Sequence, residues 1–118
     1  ETRIQQDKTR LKMILHNLLS NAVTFQKDSV DHKPYIRILC RMVRDKLLIE
    51  IEDNGEGIRP EEQDLIFNMF YRGSSQSTGS GLGLYIAREA ATKIKGTINV
   101  KSEFGKGSKF TLSLKNLG

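Results

Sequence analysis

The sequence predicts an α+β domain, a two-layer sandwich in which a mixed, largely antiparallel sheet is covered on one face by helices. Two segments, about residues 7–26 and 80–94, repeat apolar residues at helical spacing. Two further pairs of segments alternate apolar and polar residues, with only a short turn inside each pair. The order helix, two strands, helix and loop, helix, two strands favours antiparallel hairpins over a doubly wound parallel sheet.

In Asp7–Gln26, Leu11, Leu15, Leu18 and Ala22 fall on one stripe, with Ile14, Leu19 and Phe25 beside it, and Asp7 is a fair N-cap. A short strand is expected over Thr2–Gln5. Pro34–Arg44 and Leu47–Asp53 read as a hairpin turning at Arg44-Asp45-Lys46. In the second strand Ile49, Ile51 and Asp53 share the more apolar face, so Asp53 is expected to point inward. Pro60 suits the first turn of a short helix in "PEEQDLIFNMF". Tyr71–Ser80 reads as a flexible loop, and a helix from Ser80 to Ile94 puts Leu82, Ile86, Ala90 and Ile94 in register before Gly96 stops it. Thr97–Glu103, an "FGKG" turn and Ser108–Leu114 close the chain as a second hairpin.

A chain of 118 residues has room for a single core that buries roughly 65% of the unfolded surface. No apolar run approaches the ~20 residues of a membrane-spanning helix, and no signal-peptide pattern opens the chain. The lone Cys40 can form no internal disulfide, so a reducing, cytoplasmic setting is expected. The net charge of +5 raises the question of nucleic acid. The basic residues are dispersed among 14 acidic ones without interleaved aromatics, so no nucleic-acid partner is expected. A mild basic bias also suits a polyanionic small ligand.

Three stretches carry chemistry. In "HNLLSNAVTF", Asn17 and Asn21 stand at i,i+4 on the border of the apolar stripe. They are either a solvent-facing pair or two amide oxygens at a cavity rim, suited to a hard cation such as Mg²⁺. "DNGEGI" is either a turn or a site where the inward Asp53 accepts a hydrogen bond from an amino group on a heteroaromatic ring. "GSGLGL" places glycines at the mouth of a helix, where bare N–H groups and the helix dipole favour phosphate. Neither the GxxxxGK[ST] loop nor the GxGxxG fingerprint fits that spacing.

Taken in order, these motifs resemble the catalytic ATP-binding domain of sensor histidine kinases. That family belongs to the ATPase/kinase superfamily shared with gyrase, the mismatch-repair MutL proteins and the ninety-kilodalton heat-shock chaperone. "NLLSNAVTF" is similar to the N box, "DNGEGI" to the first glycine box, "IFNMFYRG" to the F box, "GSGLGL" to the second glycine box and "GKGSKFTL" to the final segment.

The resemblance implies the Bergerat ATP-binding fold, with ATP and Mg²⁺ as cofactors. It makes Asn21 a Mg²⁺ ligand, Asp53 the acceptor of the adenine amino group, and Gly55, Gly57 and Ile58 neighbours of the base. Asn17 and Phe25 join the pocket, Arg72 reaches the terminal phosphates from the lid, and Gly79, Ser80, Gly81, Leu82, Gly83 and Leu84 wrap them. Ser108 shares strand parity with Phe110 and Leu112 and supports the Asp–adenine network. The loop from about Arg59 to Ser80 matches the ATP lid.

The resemblance further implies transfer of the γ-phosphate to a histidine on a separate helical domain, in a two-component phosphorelay that ends on a response regulator. Asn17 stands where hydrolysing relatives carry a Glu general base, and an amide cannot take that proton. Thr24 and Phe25 replace a Lys and Tyr common in the family. His16 is expected on the surface and His32 in a loop, so the acceptor histidine is not expected in this chain. Residues 1–118 are expected to be one monomeric catalytic domain, with the dimerising and phosphoacceptor helices upstream and a membrane anchor in the parent protein left open. The alternatives are a non-catalytic nucleotide-binding regulatory module and a serine kinase or ATPase of the same superfamily.

Overall fold

The computed structural model describes residues 3–24, 33–68 and 83–115. Along the chain come α1 (Arg3–Thr24), β1 (Ile36–Val43), β2 (Lys46–Asp53), a 3-10 helix (Pro60–Glu62), α2 (Gly83–Lys93), β3 (Gly96–Glu103) and β4 (Gly107–Lys115). The strands form one four-stranded sheet in the order β1-β2-β4-β3. Every neighbouring pair is antiparallel. Both expected hairpins are present, and β2 and β4 join them through the middle of the sheet.

Helix α1 starts at Arg3, so the strand expected over Thr2–Gln5 does not form and Asp7 is not a cap. Glutamines and lysines are good helix formers, and Asp7 inside the helix faces Arg10 at 3.8 Å, an i,i+3 pair that favours continuation. The centre of its buried stripe is Ile14, Leu18 and Ala22, and Leu11, Leu15 and Leu19 flank it. His16 is exposed, as expected.

In α2 the buried residues are Ala87, Ala90 and Ala91, followed by Ile94 just beyond the helix. Ile86 is 37% exposed, which corrects the expected register. A face of alanines lets the helix lie close to its neighbours, and the larger isoleucine is left at the rim. Gly96 is not the left-handed stop either. Lys95 takes that conformation at φ 60°, while Gly96 begins β3. A side chain on Gly96 would meet Leu114 Cδ2 at 2.6 Å, so the glycine serves close packing instead.

The core lies between the two helices and the inward face of β2, β4 and β3. Ile49, Ile51, Ile98, Phe110 and Leu112 are buried there. On β1 it reaches only Ile36, while Ile38 and Met42, which share its inward parity, remain 53% and 59% exposed. On the opposite face Glu50 is covered by Arg41 at 2.9 Å and Lys109 at 3.3 Å. Those two cations keep its carboxyl below its ordinary range, the hydrogen bond from Lys109 contributing most.

Candidate functional site

Asp53 ends β2 on the same face as Ile49 and Ile51, and its residue is only 6% exposed. Strand alternation alone puts it there. Its carboxylate accepts the Gly55 N–H at 2.8 Å. Burial pushes its pKa up, against the opposing pull of the Gly55 and Ser108 backbone N–H groups. No ion-pair partner faces it among the described residues. A buried carboxylate with only backbone donors keeps acceptor capacity for a ligand donor.

Ser108 lies opposite Asp53 across β2 and β4 and is buried with Phe110 and Leu112, as its parity predicts. Asp53, Gly55, Gly57, Ile58 and Ser108 are thus gathered where the loop after β2 meets the β3–β4 turn. Gly105 donates its N–H to the Glu56 carbonyl at 2.6 Å. Gly57 has φ +76°, and a side chain there would strike the Glu103 carbonyl and Phe104. The Arg59 guanidinium lies 4.8 Å from the centre of the Phe104 ring and continues the same seam.

Asn17 and Asn21 are half-buried on α1, at the edge of its apolar stripe. A Cβ added at Gly83 would come 3.8 Å from Asn17 Oδ1, so the first residue of α2 faces Asn17. Gly83 is exposed and Leu84 is partly buried against the core. The F-box residue Phe67 is buried, packs edge-on to Phe110 at 6.3 Å, and carries Arg88 over its ring at 5.4 Å. Phe25, Arg72, Gly79, Ser80, Gly81 and Leu82 lie outside the described residues, as do His32 and most of the expected lid.

Among the described residues no cluster of three His, Cys, Asp or Glu side chains could hold a metal by itself. The asparagine pair offers neutral oxygens, which fit Mg²⁺ only in company with anionic ligand oxygens. Nucleotide phosphates would supply those. An open groove of about 370 Å³ is walled by Asp53, Ser102, Gly107 and Ser108 together with Lys101, Lys106 and Lys109, and among the described residues it takes no wall from α1 or α2.

Sequence reasoning missed three side chains that organise this region. Asn54 accepts the Tyr35 N–H at 2.8 Å and donates to the Lys33 carbonyl at 2.9 Å, tying the start of β1 to the loop. Ser102 accepts the Ile58 N–H at 2.7 Å. Gln63 donates to the carbonyls of Ile58 and Ser102. Ser102 was the most accessible to sequence reasoning: it stands opposite Ser108 across the second hairpin.

An open antiparallel sheet with helices on one face is the architecture of histidine-kinase ATPase domains. A mycobacterial sensor histidine kinase structure, MprB, superposes with a TM-score of 0.79 at 25% identity, over 91% of this chain and 72% of that one. Full-length ShkA in complex with AMPPNP gives a TM-score of 0.75 at 26% identity, over 89% of this chain and 21% of that one. The family model for the histidine kinase-, DNA gyrase B- and HSP90-like ATPases matches residues 6–117, and the chain belongs to that family.

The aerobic respiration control sensor protein ArcB of Escherichia coli (strain K12) is 42% identical over 114 residues, 92% of this chain and 14% of ArcB. The sensor-like histidine kinase SenX3 of Mycobacterium tuberculosis (strain ATCC 25618 / H37Rv) is 39% identical over 116 residues, 95% of this chain and 27% of SenX3. The chain therefore spans well under a third of these curated relatives. It is an ATP-binding domain of the sensor-histidine-kinase type. No helix among the described residues is long and apolar enough to cross a membrane.

Proposed function

We propose that this domain binds ATP with Mg²⁺ and presents the γ-phosphate to a histidine on a separate helical domain, which in turn serves a response regulator. The observation that carries the reading is Asp53, a buried carboxylate held by backbone donors beside Gly55, Gly57 and Ser108, with no cation opposite it among the described residues. Asp53 accepts the adenine amino group, and the glycine backbone admits the flat ring. The N-terminal segment of α2 and the glycines before it receive the phosphates. Asn21, with Asn17 beside it, contributes neutral oxygens to the metal. The metal supplies charge neutralisation on the phosphates when bound.

Asn17 supports transfer over hydrolysis, because an amide cannot take a proton from water. The domain's own contribution is positioning. Residues 1–118 act in this reading as one catalytic unit, monomeric alone, and the acceptor histidine belongs to another domain.

The test is calorimetric titration with a non-hydrolysable ATP analogue, with and without Mg²⁺, for the native chain and for Asp53→Asn. Saturable Mg²⁺-dependent binding that weakens at least ~tenfold, about 1.4 kcal/mol, in the variant is expected. No binding by the native chain overturns the reading.

A further inference from the structure

The side chain of Gln63 follows the 3-10 helix and lies half-buried at the foot of the segment that matches the ATP lid. Its amide nitrogen donates to two carbonyls, Ile58 at 3.2 Å and Ser102 at 3.1 Å. Both amide hydrogens are therefore committed, to two segments far apart in the chain. The Ile58 N–H is held as well, by Ser102 Oγ at 2.7 Å. A single residue beside the base-binding glycines thus has its donor and its acceptor fixed by two side chains.

The same contacts set a proton direction. Ser102 Oγ lies 2.9 Å from the Gly107 carbonyl, which can only accept, so the Ser102 proton points there. The remaining 2.8 Å contact between Ser102 Oγ and Ser108 Oγ is then donated by Ser108. The Ser108 proton is spent on Ser102, and its free lone pairs are left as acceptors opposite Asp53.

We propose that Gln63 and Ser102 are positioning residues for the base end of the nucleotide site, holding Ile58 by both its backbone polar groups and fixing the Ser108 hydroxyl. The proposal rests on the nucleotide-binding reading above and deepens it. Neither residue touches a reacting atom. Each acts through Ile58 or Ser108. The chemistry required at position 63 is a donor long enough to bridge two carbonyls, which makes the role distinguishable from mere bulk.

The experiment titrates ADP and a non-hydrolysable ATP analogue into the native 118-residue chain and into Gln63→Leu, Gln63→Glu, Gln63→Lys and Ser102→Ala. Amide exchange at Gly55 and Ile58 is followed without ligand, and the melting temperature of each variant is recorded. Gln63→Leu is expected to weaken both nucleotides about equally, by roughly three- to tenfold, the scale of one or two lost hydrogen bonds. Exchange at Ile58 rises, while the melting temperature changes little. Gln63→Glu, which sets acceptors against two carbonyls, is expected to bind more weakly still. Gln63→Lys, whose ammonium can donate to both, restores affinity, and Ser102→Ala reproduces the loss. Equal affinities across the series overturn the proposal and leave the nucleotide reading standing. A loss confined to the triphosphate assigns Gln63 to the lid and also overturns it. Absence of nucleotide binding by the native chain is the separate result that removes the reading beneath it.

Discussion

The backbone of Gly107 lies against the backbone of Asp53. At φ +136°, a Cβ on Gly107 would stand 2.8 Å from Asn54 Cα and closer still to the Asp53 carbonyl. The turn that supplies Ser108 is thereby seated directly on the residue whose carboxylate faces the site. Gly107→Ala meets backbone, which cannot give way, in addition to an unfavourable φ. It is expected to cost about 3 kcal/mol or more. Gly105→Ala at φ +90° meets nothing within 4 Å among the described residues and should cost only the backbone preference, about 1–2 kcal/mol. Thermal unfolding of the two variants side by side measures the difference. Equal losses would mean that the contact with Asp53 carries no energy.

In the proposed nucleotide site, Asp53 sets a functional demand against stability. Folding raises its pKa above the ordinary value of 3.8, chiefly through burial, so the folded chain retains a proton there that the unfolded chain has already lost. The contribution of this group to stability therefore falls as pH rises from 3.8 to the raised pKa, and stays at its lower level above that. Asp53→Asn removes the cost of burying the charge while an amide oxygen can still accept from Gly55. Its melting temperature near pH 7 is expected to exceed that of the native chain, and the gain should shrink toward pH 3.5. Nucleotide affinity moves the opposite way. A variant that loses both stability and binding would show that Asp53 is a structural carboxylate.

The inward position of Asp53 was legible in the sequence because strand alternation is a strict two-residue period, and Ile49 and Ile51 declare the face. Ser108 was legible for the same reason from Phe110 and Leu112. The face of α2 was read less well. With Ala87, Ala90 and Ala91 buried and Ile86 at the rim, hydrophobicity alone points at the wrong residue, because close helix packing selects small side chains. The junction of β2 with β4 was also hidden, since hairpin signals are local and this pairing joins segments distant in the chain. Gln63 and Ser102 escaped notice for a related reason. Their partners include backbone atoms 39 and 44 residues away, and no side-chain pattern records those.

Glu50 should show a pH dependence of opposite sign to Asp53. Its pKa is lowered from the ordinary 4.5, first by the hydrogen bond from Lys109 and further by Arg41. Its stabilisation is present above pH 4.5 and is lost as pH falls through the lowered pKa. Glu50→Gln is expected to melt below the native chain at pH 7 and to converge with it in acid. Nucleotide affinity stays unchanged, because Glu50 occupies the opposite face of the sheet from Asp53. Circular dichroism melts at several pH values test this, and a deficit that persists in acid would assign the loss to packing rather than charge.

Gly83 separates the structural from the functional need for glycine at the mouth of α2. It is the first residue of the helix, and among the described residues a Cβ there would meet only Asn17 Oδ1, at the ordinary contact distance of 3.8 Å. Among the described residues nothing therefore demands glycine here on steric grounds. Alanine is the better helix former and restricts the unfolded chain, so Gly83→Ala is expected to raise stability by about 0.5–1 kcal/mol, seen as a small rise in melting temperature. A phosphate drawn to the first N–H groups of α2 needs that space. The same substitution should weaken binding of the triphosphate analogue by about tenfold or more and adenosine much less. Asn17→Ala supplies the complement, because it opens space against Gly83 and removes an amide oxygen from the proposed metal. Its affinity loss should appear with Mg²⁺ and largely vanish without it. If Gly83→Ala binds the triphosphate as tightly as the native chain, the phosphates do not approach the backbone at the start of α2.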